Sequence, residues 1–463
     1  MWMKLHWVAV SYWFDWLRRH VLRLVLVIIF LVTNLRADVL LTQDRETGLN
    51  QILAGRLFDF GTWLTSAWTN KLGHELIAPQ RGLNDAEQVQ FVRDYMAAVQ
   101  RFQKLEGQIA QTFTDPATPD PQTASAPLRQ KRDTLRAYIN ARQNLAEAIV
   151  QEQVESVLRE EGFALGGQVL PPVRFRFTDL PDVLIISRRD KIERIDQREL
   201  TTGLTVDTFD QIEREVDQRF NVSSIVEPIG GLGSYPTMLG ETSHIPWTIG
   251  TVAHEWTHNF LLLSYVGRNY ASDSAARTIN ETAATIVQQE IDKRVLQRFY
   301  PELMSQWDSG SVSQWISGSV GQWNCECASW SYCSTVLLTY CPTTPLLASL
   351  SAANDFDFNK AMRETRVTAD ELLAQGEIDA AEAYMEQRRK LFVQNGYGIR
   401  KLNQAYFAFH GAYNAVPGGA PAAGKDPIGP AVQDLRKHSK TLGDFVRAIA
   451  EVTSLADVVA ANH

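Results

Sequence analysis

Apolar residues fall into three kinds of pattern along the chain, and each predicts a different element. From Val21 to Thr33 the sequence VLRLVLVIIFLVT is apolar throughout except for Arg23. Trp2, Trp7, Trp13 and Trp16 precede it, with Lys4, Arg18 and Arg19, while Asp38, Asp44 and Glu46 follow. Interfacial tryptophans and basic residues on one flank predict a membrane-targeting segment over residues 1–37, with the N-terminus cytoplasmic and the remainder exported. The run is short of the ~20 apolar residues of a full span, and Arg23 can lengthen it by snorkelling. Leu35 makes a poor cleavage site ending at Ala37, so an uncleaved single-pass anchor is expected rather than a removed signal peptide.

Helical spacing dominates residues 38–168. Leu49, Leu53, Leu57, Phe60 and Leu64 predict a helix over Gly48–Ile77. Val89, Val92, Met96, Val99, Phe102, Leu105 and Ile109 form the stripe of a second helix capped by Asn84, and Leu128, Leu135, Ile139, Leu145, Ile149, Val154 and Leu158 that of a third. The proline-rich stretch between them predicts a long antiparallel hairpin. After Pro171 the period shortens. Val173–Phe177 alternates and Asp182–Ser187 is a continuous apolar run, so both read as strands, with Thr201–Val206 a weaker third. A helix over Thr208–Phe220 and a strand and turn over Ser223–Met238 follow. Helices resume from Trp247 onward, including Ala369–Val393, Ile399–Tyr413 and a closing helix or pair over Leu442–Ala460, with a Gly/Pro loop over Val416–Pro430. The order gives a mostly helical α+β fold.

Residues 305–345 break the pattern. SQWDSGSV, SQWISGSV and GQWNCECA repeat with a period of eight, too few and too rich in Ser and Gly to build a solenoid. They read as a low-complexity insertion between a core over 169–304 and a helical subdomain over 346–463. Cys325, Cys327, Cys333 and Cys341 all lie in it, in a spacing unlike paired CxxC zinc sites. The net charge of −8 and the lack of a zinc-finger or RNA-binding signature argue against a nucleic-acid partner.

The chemistry concentrates in Thr251–Phe260, TVAHEWTHNF. In its HExxH, His254 and His258 stand four apart and share a helix face, so both imidazoles can meet one metal ion. Glu255 can reach the water beside it and take a proton. A catalytic zinc needs a third protein ligand, and Glu281 in the apolar helical stretch Ala275–Val295 supplies it, 23 residues past His258. Downstream, Tyr406, His410 and Tyr413 share a face with Asn403 and are candidates to stabilise an oxyanion.

HEWTH at His254–His258 with NETAA at Asn280–Ala284 resembles the gluzincin zinc metallopeptidases. The resemblance covers about 30 residues. It implies a zincin-like core, zinc held by His254, His258 and Glu281, and hydrolysis of a peptide or protein substrate with Glu255 as general base. Thr285 stands where thermolysin-like enzymes carry an Asp that orients a histidine, so the support around the ligands differs. Leu402–Tyr413 is similar to a segment of predicted bacterial aminopeptidases. The resemblance also implies that substrate is laid along Gly231–Met238 as an added strand. The alternatives are a zinc hydrolase of non-peptide amides and a membrane-tethered interaction protein whose zinc helix is only structural.

Overall fold

The computed structural model describes residues 43–114, 120–306, 356–411 and 427–461. The expected membrane segment, the tryptophan repeat, the four cysteines and Tyr413 lie outside them. Among the described residues no helix is long and apolar enough to cross a membrane. The fold is mostly helical with small sheets, as an α+β layout requires.

The expected first helix is two: α1 (Gln43–Ile52) and α2 (Phe60–Ile77). Between them Leu57 forms a β-bridge with Leu200, and Asp59 accepts the Thr62 amide at 3.0 Å to start α2. A strand contact and a cap override the apolar spacing there. α3 (Asp85–Thr114) and α4 (Ala126–Leu158) form the expected hairpin. Arg132 pairs with Glu106 and Arg136 lies 3.7 Å from the Phe102 ring centre, so partner numbers rise on one helix as they fall on the other. α4 also packs against the first strand and both helices of the metal-ligand motif.

Besides a short two-stranded ribbon that pairs Ala164–Leu165 with Gln168–Val169, the strands form two three-stranded sheets. β1 (Phe175–Phe177), β2 (Asp182–Arg188) and β3 (Arg194–Leu200) are followed by α5 (Val206–Phe220), β4 (Val222–Pro228), β5 (Gly231–Leu232) and β6 (Thr237–Leu239). One sheet runs β3-β2-β4, all antiparallel; the other runs β1-β6-β5, with β1 parallel to β6 and β5 antiparallel to it. The third strand is therefore RIDQREL at 194–200, not Thr201–Val206. β3 is an edge strand rich in charge, and it buries Arg194 and Asp196 as well as Leu200, with Asp196 paired to Arg198 at 3.2 Å. Thr205 instead caps α5 by accepting the Thr208 amide.

α4 seals one edge of the β1-β6-β5 sheet. Gln143, Glu147 and Gln151 recur four apart, on one helix face. Glu147 Oε1 accepts the Phe177 amide at 2.8 Å, Gln151 Oε1 accepts the Phe175 amide at 3.1 Å, and Gln143 donates to the Phe177 carbonyl at 2.8 Å. The buried Lys71 ammonium neutralises Glu147 and also donates to Gln151. β5 forms the opposite edge, and β6 is its only strand partner among the described residues.

α6 (Ile245–Leu261) and α7 (Ser274–Phe299) carry the candidate metal ligands and pack closely together. Beyond them come α8 (Phe358–Ala374), α9 (Ile378–Gln394), α10 (Gln404–His410), α11 (Ile428–His438), α12 (Leu442–Glu451) and α13 (Leu455–Ala460). The single helix expected over 369–393 is broken at Gly376, whose φ of +78° suits glycine and stops a helix. That expected over Ile399–Tyr413 begins only at Gln404, because Asn403 accepts the Tyr406 amide as an N-cap. The main core joins α3, α4, α6, α7, α11 and α12, whereas Val183, Ile185 and Ile225 pack with α8, α9 and α10 in a second core.

Candidate metal centre and active site

Three bonds fix α6 where it is needed. His244 Nδ1 accepts the Trp247 amide at 3.0 Å and starts the helix, with Pro246 in its first turn. Trp256, inside the HExxH motif, points away from the ligands into the core. It is fully buried, donates to the Pro171 carbonyl at 2.8 Å, and meets Phe163 edge to face at 5.0 Å. Asn259 donates to the Ser234 carbonyl at 3.2 Å and ties the helix to the β5–β6 turn.

His254 and His258 then face α7, where Glu281 is 1% exposed. Glu281 Oε2 lies 3.3 Å from His254 Nε2 and 3.6 Å from His258 Nε2. All three ligand atoms fall within 4.8 Å of one another. Tetrahedral zinc with bonds of about 2.0–2.1 Å separates neighbouring ligand atoms by about 3.3 Å. The donor set fits such an ion in its chemistry, and its two carboxylate-to-imidazole distances fit the spacing.

Protonation sharpens the fit. Asn280 donates its amide to the Val266 carbonyl at 3.3 Å, which turns its Oδ1 toward His258 Nδ1 at 2.8 Å. An acceptor there makes Nδ1 a protonated nitrogen, so Nε2 is the atom that turns toward Glu281, where one metal ion would engage both.

The Glu281 carboxyl is opposed by burial, which pushes its pKa up. The His258 and His254 imidazoles and the Tyr270 hydroxyl outweigh that and hold it at about 2. Tyr270 donates to Glu281 Oε1, and burial followed by the nearby carboxylate drives the phenol pKa upward. Glu255 behaves oppositely. Burial, reinforced by Glu281 and opposed by His258, raises its carboxyl from 4.5 to about 7. That value suits a base exchanging protons near neutrality.

β5 passes directly over Glu255. A Cβ on Gly231 would sit 2.8 Å from Glu255 Oε1, and one on Gly233 would sit 3.3 Å from Glu255 Oε2 and from His258 Cβ. The Gly240 amide donates to the Gly230 carbonyl at 3.2 Å. Antiparallel alternation then turns the Gly231 amide and carbonyl away from β6, toward the open edge.

The structure thus brings together His254, Glu255, His258 and Glu281. Tyr406 and His410 lie on α10, ring centres 4.3 Å apart; Tyr406 packs into the second core, and among the described residues His410 is not part of the His254–His258–Glu281 group. Burial holds His410 neutral, with its pKa down at about 3. Sequence reasoning missed three features: Asn280, Tyr270 and the close approach of Gly231 and Gly233 to Glu255. Asn280 was visible beside Glu281, and the glycine spacing was visible; nothing marked Tyr270. Thr285 donates to the Glu281 carbonyl at 2.8 Å, so it braces the helix instead of orienting an imidazole. Comparison of the chain with family models, curated proteins and solved structures finds no match.

Proposed function

We propose that this chain is a zinc-dependent peptidase, with His254, His258 and Glu281 as metal ligands and Glu255 as general base. The convergence of two imidazole nitrogens on one buried carboxylate oxygen, at 3.3 and 3.6 Å, carries the reading. When bound, zinc would polarise a substrate carbonyl and make a neighbouring water acidic. Glu255 takes the proton of that attacking water, then returns it to the departing amine nitrogen as the C–N bond breaks. A carboxyl with a pKa of about 7 can do both.

Extended peptide is the substrate that this edge suits. The free side of β5 offers the Gly231 amide and carbonyl for strand addition, and Gly231 is also where the strand touches the base. A bond laid opposite Gly231 comes within reach of Glu255. An uncleaved membrane anchor in residues 1–37 and an extracytoplasmic location remain part of the proposal, resting on the sequence pattern alone.

The competing reading is an interaction protein with a structural metal. Glu255 argues against it, since a structural site has no use for a buried, raised carboxyl and normally fills its fourth position with protein. The test is Glu255→Gln with metal analysis beside peptide hydrolysis. One zinc per chain in both proteins, with turnover reduced ~10³-fold or more in the variant, is expected. Undiminished hydrolysis by Glu255→Gln removes the mechanism, and zinc-free wild type removes the reading.

A further inference from the structure

We infer that Tyr270 is a positioning residue that restricts Glu281 to one-oxygen ligation; this rests on the zinc reading above. The two oxygens of Glu281 have different surroundings. Oε1 accepts the Tyr270 hydroxyl. Oε2 is buried and faces both imidazoles, at 3.3 Å from His254 Nε2 and 3.6 Å from His258 Nε2. One oxygen is occupied by the protein and the other is left for the ion.

The consequence is a matter of coordination number. A carboxylate can bind a metal through one oxygen or through both. Through both, Glu281 would claim a further position, and the open place that a water and a carbonyl must share would shrink. A phenol on Oε1 withdraws that oxygen, because turning it toward the ion would break the hydrogen bond in a buried site.

Tyr270 is itself held by the helix that carries the ligand. Arg277 lies one turn before Glu281 on α7. Its Nε donates to the Tyr270 carbonyl and its Nη2 to the Ala271 carbonyl, both at 3.0 Å. The guanidinium groups of Arg277 and Arg194 lie 5.8 and 5.3 Å from the Tyr270 ring centre. Asp273 accepts the Ala275 amide at 2.8 Å, starting α7, and fixes the end of the same loop. Arg277, Tyr270 and Glu281 therefore close a ring of contacts on one helix face. The carboxylate cannot turn without disturbing the loop backbone.

The test uses the full-length chain loaded with cobalt(II), whose visible bands are intense in four-coordination and weak in five or six. Wild type should give the four-coordinate spectrum. Tyr270→Phe should give weaker, shifted bands and bind zinc ~10-fold or more weakly in chelator competition. Arg277→Met, which frees the loop but keeps the hydroxyl, should move both readouts the same way by less. Circular dichroism and urea unfolding of the metal-free proteins establish that the variants are folded. A wild-type spectrum already five- or six-coordinate overturns the inference, as does a Tyr270→Phe protein matching wild type in spectrum and affinity. Should wild type take up neither cobalt nor zinc, the zinc reading falls and takes the clamp with it, an outcome distinct from both.

Discussion

Two carboxylates, Glu255 and Glu281, share one buried site and are driven in opposite directions, which gives testable pH behaviour. Glu255 has its folded pKa raised from 4.5 to about 7, so its neutral form suits the metal-free fold. That contribution is complete below 4.5 and is lost as pH rises through about 7. Glu281, depressed to about 2, contributes above 4.5 and loses its contribution as pH falls through about 2. In urea titrations of metal-free protein, Glu255→Gln should gain on wild type by on the order of 3 kcal/mol between about pH 5 and about pH 8. In the metal-loaded enzyme the added positive charge pulls Glu255 down, so the acidic limb of kcat/KM should lie at or below about 7. Gly231→Ala makes a second residue-scale case. The new methyl meets Glu255 Oε1 at 2.8 Å and Thr251 Cγ2 at 3.1 Å, side chains rather than backbone, so stability should fall by about 1–3 kcal/mol while kcat falls at least ~10-fold. An equal kcat for Gly231→Ala would mean that the strand does not set the base. At this scale the convergence of His254 and His258 was legible because residue type and spacing on one helix suffice, and Glu281 was legible from its apolar helical surroundings. Tyr270 was not, since its position depends on how the loop between two helices closes.

Elements were legible where a stripe or a run continues, and illegible where a cap or a polar edge decides. The hairpin of α3 and α4 follows from its apolar periodicity, and β2 from an unbroken run. Asp59, Thr205, Asn403 and Gly376 each interrupt a pattern that would otherwise continue. RIDQREL could not be read as a strand because its partner, not its own side chains, makes it one. The most consequential element-scale contact is the row of α4 side chains on β1. Glu147 is 0% exposed, neutralises Lys71 and accepts a strand amide. Glu147→Ala leaves a buried ammonium unpaired and a strand amide without its acceptor, and should cost about 3–5 kcal/mol in denaturant unfolding. Glu147→Ala with Lys71→Met should recover a large part of that loss; a double variant no more stable than the single one would show that the charge pair is not the source.

At the scale of the molecule, the long hairpin is not an appendage. α4 contributes to the same core as α6 and α7, so the ligands rest on packing that reaches from α3 to α12. That breadth was not legible, since a stripe announces burial without naming what it is buried against. It also ties metal to global stability. An ion that binds only the folded chain stabilises it by about 4 kcal/mol when free metal stands at a thousandfold its Kd. Removing metal with a chelator should therefore lower Tm by several degrees, reversibly on adding zinc, and His258→Ala should abolish the difference. A Tm indifferent to chelator in wild type would count against a metal held by these three residues. The asymmetry of the β1-β6-β5 sheet has a further consequence. Its β1 margin is finished by glutamine and glutamate side chains and can admit nothing more, so any polypeptide that joins the sheet must do so alongside β5. Such a guest is aligned lengthwise before any of its side chains is inspected. Selectivity would then rest on what flanks the bond, while the site of the cut is measured off from a single glycine.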